Sequence, residues 1–149
     1  MAGTTDAAQE IAERASRAMF SRDRAAQLLG MRVTRIAPGR AEVVMQVLPQ
    51  MINGHHVCHG GLVFSLADTA FAYACNSYND STVAAAGSID FLAPARAGDE
   101  LTAVASELWR TRRNGLYEIT VTNQHGERIA LFRGRSHRIS GQVDASEGA

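Results

Sequence analysis

A single apolar helix with strand patterns on both sides is the feature that most constrains this fold. Residues 60 to about 79 read as a mostly apolar helix. Within it, Asp68 is the only charged side chain between Glu42 and Asp80. A helix this apolar has to be covered on most of its surface. The neighbouring strands can supply that cover, so we predict an α+β fold in which a curved antiparallel β-sheet wraps around one long central helix.

Turn residues divide the rest of the chain into short strands. Pro38-Gly39 separates two runs before the helix, whereas Arg113-Asn114-Gly115 and Gln124-His125-Gly126 separate runs after it. Asn-Gly is a strong hairpin signal and His-Gly is a weaker one. The predicted strands cover residues 31–37, 40–48, 82–93, 100–112, 116–123 and 127–139.

We expect three segments along the chain. Its 149 residues are the usual length of one domain. Helix starts are indicated at Thr5-Asp6 and at Ser21, and Gly30 is typical of a C-terminal cap. We therefore predict an N-terminal helical segment over residues 1–30 that packs on the domain, the sheet-and-helix domain over 31–140, and a polar, disordered tail over 141–149.

Charge and composition exclude two classes of function. Fifteen basic side chains balance fifteen acidic ones, whereas a nucleic-acid binder needs a positive field. The longest stretch without Asp, Glu, Lys or Arg, from Val43 to Ala67, contains Pro49 and several histidines, so it is no membrane span. Charged residues near the N-terminus argue against an export signal, and two cysteines suit a reducing compartment. We expect a soluble cytoplasmic protein.

The start of the central helix is the first candidate for chemistry. Gly60-Gly61 opens the helix, so unpaired backbone N–H groups and the positive end of the helix dipole face the preceding loop. Such an end can hold an anion, or an oxygen that becomes negative during a reaction. The alternative is a tight turn packed against the sheet, and the residues alone leave both interpretations open.

Asp68 is the second candidate. It shares a helical stripe with Gly61, Ser65 and Ala72, so it is either a solvated charge or a carboxylate aimed into a cleft as nucleophile or general base. It follows Gly60 by eight residues, about 12 Å along a helix. Both groups can act on one carbonyl only if antiparallel helices of two subunits share the site, so catalysis here implies a dimer.

Three histidines and a cysteine lie close together in the loop before the helix: His55, His56, His59 and Cys58. Zinc binds these residue types, but its ligands usually come from more than one element, and the sequence has no second Cys/His cluster. We therefore expect no metal, and we expect His59 to hydrogen-bond the loop backbone or to contact the substrate. Cys58 and Cys75 are expected to be small packing residues.

Arg110, Arg112 and Arg113 cluster before a predicted hairpin turn. Such a cluster is either a solvated hairpin end or a set of guanidinium groups that holds the phosphates of a nucleotide-like substrate. The sequence has no P-loop and no Gly-x-Gly-x-x-Gly fingerprint, so a nucleotide is not expected as a cofactor.

Several of these segments match one family. The sequence resembles the hotdog-fold acyl-CoA thioesterases, and within them the phenylacetate-pathway (PaaI-type) subgroup, over about residues 10 to 140. The His-Gly-Gly and Leu-Ala-Asp spacing is typical of the superfamily, and the longer strings are typical of the subgroup. The matching segments are Asn53-Gly54, His59-Gly60-Gly61, Leu66 to Ser77, Ile89 to Pro94, Gly98-Asp99 and Leu131 to Ile139.

The resemblance implies an assembly and a site. Two hotdog subunits pair side by side into one continuous sheet, commonly as dimers of dimers, so a homotetramer is expected. The backbone N–H of Gly60 polarises the thioester carbonyl, and Asp68 from the other subunit attacks it or activates water. Asn53 positions the nucleophile or water, and His59 supports the loop or the thioester end. CoA lies along the interface, with Gly61, Arg110, Arg112 and Arg113 as candidate substrate-binding residues.

Two positions depart from the family pattern. Some relatives place a hydroxyl residue one turn beyond the acid, where this chain has Ala72, and others place a serine on the following strand, where Ala84 aligns. A side chain that would position water is therefore missing at both places. The choice between nucleophile and general base stays open for Asp68.

The expected function is that of an acyl-CoA thioesterase that hydrolyses phenylacetyl-CoA or hydroxyphenylacetyl-CoA to free acid and CoA in phenylacetate degradation, without metal or organic cofactor. One alternative is a hotdog acyl dehydratase, whose Asp-x-x-x-x-His pattern is absent because Tyr73 stands fifth after Asp68. Another is a non-catalytic acyl-CoA sensor, which would not need Asp68 and would be expected to carry a DNA-binding segment.

Overall fold

The computed structural model describes residues 2–146 and contains two N-terminal helices, one central helix and six strands. The elements are α1 (Ala2–Arg22), α2 (Arg24–Leu28), β1 (Arg32–Ala37), β2 (Arg40–Gln46), a short 3₁₀ helix (Pro49–Met51), α3 (Gly60–Cys75), β3 (Asp80–Phe91), β4 (Glu100–Arg110), β5 (Asn114–Thr122) and β6 (Arg128–Gln142). All six predicted strands are present, and no strand end is shifted by more than three residues.

The strands form one antiparallel sheet in the order β1-β2-β4-β5-β6-β3. Because α3 contacts every strand, the sheet wraps around it, and the predicted α+β hotdog architecture is confirmed. The core lies between α3 and the inner face of the sheet. Its fully buried side chains include Leu66, Ala70, Phe71, Met45, Leu101 and Ile119.

The central helix begins at Gly60 as predicted but ends at Cys75, four residues before the expected Asn79. The reason is the side chain of Asn76. Its Nδ2 donates to the carbonyl oxygens of Ala72 at 2.8 Å and Thr82 at 2.9 Å, while its Oδ1 accepts the Thr82 N–H at 2.9 Å. One side chain therefore caps α3 and ties its end to β3.

β3 forms one edge of the sheet, because only β6 pairs with it among the described residues. The stretch 84–88 in its middle is exposed. A 12-residue edge strand leaves many backbone N–H and C=O groups available for pairing with another chain. This edge lies next to the side of α3 that carries the candidate site, described below.

The hairpin between β4 and β5 differs from the prediction. Arg110 pairs with Gly115, and the Thr111 N–H donates to the Asn114 carbonyl at 2.7 Å, so Arg112 and Arg113 form the turn. Gly115 lies in the strand instead. A Cβ there would stand 2.7 Å from Ser136 Oγ, so close packing against β6, and not turn geometry, explains the glycine.

The N-terminal segment also differs in detail. α1 starts at Ala2 instead of Thr5 and runs to Arg22, past the start predicted at Ser21. Asp23 caps α2, since its Oδ1 accepts the Ala26 N–H at 3.0 Å. Gly30 follows with a φ of 67°, a left-handed conformation that suits glycine at a helix end.

The chain stays ordered beyond residue 140. β6 continues to Gln142, Arg22 donates to the Val143 carbonyl at 2.6 Å, and the Asp144 N–H donates to Asn79 Oδ1 at 2.7 Å. The disordered tail predicted over residues 141–149 therefore differs from the structure at its start. Its last residues, 147–149, lie outside the described residues.

Candidate active site

The first turn of α3 leaves one backbone donor without a protein partner. His59 is the N-cap, and its Nδ1 accepts the Gly61 N–H at 2.9 Å. The Leu62 N–H donates to the His59 carbonyl at 2.9 Å. Within residues 2–146, the Gly60 N–H donates to no acceptor. Gly60 therefore presents the free donor at the positive end of the helix, where an oxygen that gains negative charge is stabilised.

The capping contact also determines which ring nitrogen of His59 carries the proton in the neutral ring. A ring nitrogen that accepts a hydrogen bond is unprotonated, so the proton of the neutral ring is on Nε2. The His59 N–H donates to the Met51 carbonyl at 2.8 Å, and the Cys58 N–H donates to the Ala95 carbonyl at 2.7 Å. The hydrogen bonds of His59 and Cys58 thus hold the loop against the start of α3.

Asn53 lies in the same loop with its carboxamide oriented by the backbone. Its Oδ1 accepts the N–H groups of His55 at 2.9 Å and Val57 at 3.3 Å. The Asn53 N–H donates to the Val57 carbonyl at 2.8 Å, which closes the loop. The Asn53 NH₂ group donates to no acceptor within residues 2–146, so it is a second free donor at this end of the helix.

A cleft of about 360 Å³ opens at these two donors. Apart from Asn53 and the Gly60 backbone, its walls are mainly apolar: Val57, Cys58, Val63, Phe91, Leu92, Ala93, Pro94 and Ile129. The Phe91 ring stands against the helix start, since a Cβ on Gly60 would lie 3.0 Å from Phe91 Cζ. An apolar cleft with a few convergent polar groups is typical of a small-molecule site.

Asp68 carries an unpartnered carboxylate. The side chain is partly buried and forms no hydrogen bond or ion pair with any other residue between 2 and 146. Burial removes water from the carboxylate, which raises the pKa of Asp68 above its usual value of 3.8. A carboxylate that is neither paired nor fully hydrated is a stronger base than an ordinary surface aspartate.

One protomer does not bring Gly60 and Asp68 together. Both lie on the continuous helix α3, eight residues apart, which separates them by about 12 Å along its axis. Asp68 is not part of the wall of the cleft at Gly60. Within one chain these two candidate groups therefore cannot act on the same carbonyl.

Phe64 shows which way the Asp68 side of the helix faces. Phe64 precedes Asp68 by one turn and so shares its face. Its ring packs edge-on against Phe132 of β6, with centroids 5.0 Å apart and planes at 77°. β6 lies beside the free edge strand β3. The carboxylate is thus on the side of α3 toward that edge, where a second subunit could reach it.

The three arginines lie near the other end of α3, around Cys75 and Tyr78. Arg110 is engaged: its Cζ is 3.5 Å from the centre of the Tyr78 ring, and its Nε is 3.7 Å from Glu107 Oε2. Arg112 and Arg113 are exposed at the hairpin turn. Gly61, the fourth candidate substrate-binding residue, is at the start of the helix, so one protomer does not gather the four together.

The remaining polar groups of the loop form no metal centre. His55 and His56 are exposed, and within residues 2–146 no group of three His, Cys, Asp or Glu side chains could hold a metal ion. Cys58 and Cys75 are free and buried, and burial raises the pKa of the Cys75 thiol to about 12.

Among the helices of residues 2–146, none combines the length and the apolar character that a membrane span requires.

Sequence reasoning missed two residues of this site. It did not single out Phe91 or Leu92, although both lie in the Ile89 to Pro94 string that carried the family resemblance. Both are large apolar side chains that remain more than half exposed, at 56% and 52%. Exposure of two adjacent apolar side chains beside a free helix N-terminus is a structural signal that one sequence does not contain.

The chain is similar in sequence to known proteins. The family model of the thioesterase superfamily matches residues 55–130. The acyl-coenzyme A thioesterase PaaI of Escherichia coli K12 is 51% identical over 126 residues, which are 85% of this chain and 90% of that protein. A putative esterase of Archaeoglobus fulgidus is 35% identical over 131 residues, covering 88% of this chain and 85% of that protein.

Solved structures of similar proteins share this fold. The structure of the E. coli PaaI protein from the phenylacetic acid degradation operon superposes with a TM-score of 0.89 at 48% identity, over 90% of this chain and 97% of that one. A mutant of the phenylacetic acid degradation protein PaaI of Thermus thermophilus superposes with a TM-score of 0.74 at 35% identity, over 76% of this chain and 97% of that one.

Proposed function

The chain belongs to the thioesterase superfamily, and we propose that it is an acyl-CoA thioesterase that hydrolyses phenylacetyl-CoA or hydroxyphenylacetyl-CoA to the free acid and CoA in phenylacetate degradation. One observation supports thioester hydrolysis. The free Gly60 N–H, which can polarise a carbonyl group, and the unpartnered Asp68 carboxylate, which can act as base or nucleophile, lie on the same helix. The substrate class is supported by the likeness to the two PaaI proteins.

The site is completed by a second copy of the chain. The exposed edge of β3 supports pairing with the same strand of a partner about a twofold axis, which would join two six-stranded sheets into one. The two central helices then lie side by side and antiparallel. This places Gly60 of one protomer beside Asp68 of the partner subunit. A homotetramer, formed as a dimer of dimers, is part of the same proposal.

The reaction follows from these positions. The thioester carbonyl oxygen accepts a hydrogen bond from Gly60, which polarises the carbon. The partner's Asp68 then either attacks that carbon or removes a proton from a water that attacks it. The tetrahedral intermediate collapses, the C–S bond breaks, and CoA leaves as a thiolate. If Asp68 attacks directly, water hydrolyses the resulting anhydride and releases the acid.

The other predicted site residues have supporting roles. The NH₂ group of Asn53 positions the attacking water or carboxylate, since its oxygen is held by the loop. His59 fixes the first turn of α3 by accepting the Gly61 N–H, and it leaves Nε2–H available to the thioester end. For the CoA phosphates we favour Arg112 and Arg113 over Arg110, which is held by Tyr78 and Glu107.

We also propose that the protein is cytoplasmic and acts without a cofactor. A cytoplasmic location is supported by two cysteines that are free and buried, as expected in a reducing compartment. Every step above uses side chains and backbone groups of the protein, so the proposed reaction includes no metal and no organic cofactor.

The test is release of free thiol from phenylacetyl-, hydroxyphenylacetyl-, benzoyl- and straight-chain acyl-CoA, with wild type beside Asp68→Asn. Asparagine keeps the shape of the side chain but is neither base nor nucleophile, so turnover should be nearly abolished, by about 10³-fold or more, with folding intact. Thiol release that favours arylacetyl esters supports the substrate class. A folded wild type that binds CoA and releases no thiol from any ester contradicts the proposal and favours a sensor.

A further inference from the structure

We propose that Phe64 contacts the aryl ring of the substrate and determines the preference for arylacetyl over straight-chain thioesters. This inference rests on the proposed thioesterase function and on the shared site. Phe64 lies on α3 and is partly buried, although its neighbours Val63 and Leu66 are buried in the core. A partly exposed aromatic ring on the same helix face as the catalytic carboxylate has a position from which it can touch the substrate.

The position of Phe64 along the helix is the first argument. It follows Gly60 by four residues and precedes Asp68 by four, so it is about 6 Å from each along the axis. When two antiparallel helices place Gly60 beside Asp68 of the partner subunit, residue 64 of both chains comes to the same level. The twofold axis of the dimer passes through this level, midway between the two sites. Each reacting carbonyl is therefore about 6 Å from the level of the Phe64 rings.

The direction of the substrate is the second argument. From the reacting carbonyl, one path leads outward past Gly60 into the open cleft of about 360 Å³. The other leads inward to the twofold axis. The nucleotide of CoA carries several phosphate charges, and two such nucleotides cannot meet at one axis against apolar rings. CoA therefore takes the outward path, and the acyl group points inward to Phe64.

The packing around Phe64 is the third argument, because it holds the ring in place. Phe64 packs edge-on against Phe132, with centroids 5.0 Å apart. Phe132 in turn lies 6.0 Å from Phe71. Gly87 on β3 makes room for this row, since a Cβ there would stand 2.7 Å from Phe132 Cζ. A ring fixed by such contacts presents the same surface to every substrate.

The distances suit an arylacetyl group. Aromatic pairs are favourable with centroids about 4.5–7 Å apart in stacked or edge-to-face arrangements. In an arylacetyl thioester, a single methylene separates the ring from the carbonyl. Since the level of Phe64 is about 6 Å along the axis from the reacting carbonyl, a ring one methylene beyond that carbonyl reaches this level, where a ring–ring contact in this range forms. A straight acyl chain gains apolar burial there but no ring–ring contact.

The experiment compares Phe64→Leu with Phe91→Leu, the same substitution on the outward side of the reacting carbonyl. For each purified protein, kcat/KM is measured with phenylacetyl-CoA and hexanoyl-CoA. Loss of one aromatic pair is worth about two- to tenfold, so Phe64→Leu should lower the phenylacetyl/hexanoyl ratio by that factor. Phe91→Leu should change KM for both esters together and leave the ratio unchanged. Phe64→Tyr should restore most of the ratio.

The failures of the two proposals are distinguishable. Wild type that releases no thiol from any ester overturns the proposed function and this inference with it. Active wild type with an unchanged ratio in folded Phe64→Leu overturns only the inference. So does a ratio that falls equally in Phe64→Leu and Phe91→Leu. If Phe64→Leu fails to fold, Phe64→Met decides, because an unchanged ratio in a folded variant without a ring at this position contradicts a ring contact.

Discussion

The two ends of the central helix differ in how completely their polar groups are paired. At the C-terminal end, Ser77 Oγ accepts the Gly39 N–H at 2.8 Å and donates to the Ala74 carbonyl at 2.7 Å. Nearby, Glu107 Oε2 accepts the hydroxyl groups of Tyr78 at 2.8 Å and Tyr117 at 3.0 Å. Each of these groups has a protein partner, so we call this region the paired end. A buried polar network stabilises a fold only when its groups are paired in this way.

The N-terminal half of the helix and the loop before it, which we call the open end, leave their polar groups available. The Gly60 N–H, the Asn53 NH₂ group and the Asp68 carboxylate near the middle of the helix have no partner within residues 2–146. Unpaired groups cost stability when they lose water. The contrast indicates that the C-terminal end fixes the helix in the sheet, and it supports our proposal that the N-terminal half receives a substrate and a second subunit.

After the loss of Asp68 itself, the largest expected effect comes from removing a donor at the open end. Asn53→Asp keeps the oxygen that accepts the His55 and Val57 N–H groups, but it replaces the NH₂ donor with a negative charge. We expect kcat to fall by about 10²–10³-fold, a loss of the size seen when one preorganised donor of an active site is removed, because the attacking water or carboxylate is no longer positioned. The measurement is thiol release beside thermal unfolding. Asn53→Ala should lose activity and also stability, because the loop loses its acceptor.

Mixing two inactive chains then tests whether the open end is shared. In a mixed dimer of Asp68→Asn and Asn53→Asp, one site combines an intact Asn53 with an intact Asp68 of the partner subunit. Random pairing of equal amounts makes about half of the dimers mixed, each with one active site of two, so activity should return to about a quarter of wild type. Activity that stays at the level of the separate variants would mean that each site lies within one chain.

The paired end should respond in the opposite way. Glu107→Gln keeps an oxygen acceptor but removes the charge that strengthens the bonds from Tyr78 and Tyr117 and that holds Arg110. We expect the free energy of unfolding to fall by about 1–2 kcal/mol. Since these residues are far from Gly60, kcat with a saturating ester should change less than about twofold. A large loss of kcat with unchanged unfolding would reverse the proposed division of roles.

The sequence could predict the open end better than the paired end. The start of α3 follows from local signals, since His59-Gly60-Gly61 precedes an apolar run. Its end depends on Asn76 bonding to Thr82, a contact that exists only when β3 folds back. The proposal of a second subunit could already be made from the sequence, because the spacing of Gly60 and Asp68 depends only on helix geometry.

Residues that act through distant partners could not be ranked from sequence. Arg110, Arg112 and Arg113 look equivalent in the chain, yet the Tyr78 ring and Glu107 hold Arg110. The Asn114-Gly115 pair carried a strong turn signal, but the space Gly115 needs beside β6 outweighed it. In both cases the deciding contact comes from another strand or from the end of α3, which local propensity does not contain.

The smallest expected effect concerns the stability cost of the open end. Burial raises the pKa of Asp68, so the folded chain holds this proton more tightly than the unfolded chain does. Protonation therefore stabilises the fold as the pH falls toward and below the folded pKa, and the charged form destabilises it at neutral pH. Asp68→Asn, although inactive, should thus unfold at a slightly higher temperature than wild type at neutral pH.

The pH dependence separates this cause from general effects of the substitution. The difference in unfolding temperature between Asp68→Asn and wild type should shrink as the pH falls below the folded pKa, because wild type is then neutral at this position too. In wild type, kcat/KM should fall over the same acidic range, since only the carboxylate acts as base or nucleophile. Two results together would mean that Asp68 is fully hydrated in the working enzyme: a stability difference that does not depend on pH, and a fall of kcat/KM near the pKa of an ordinary aspartate.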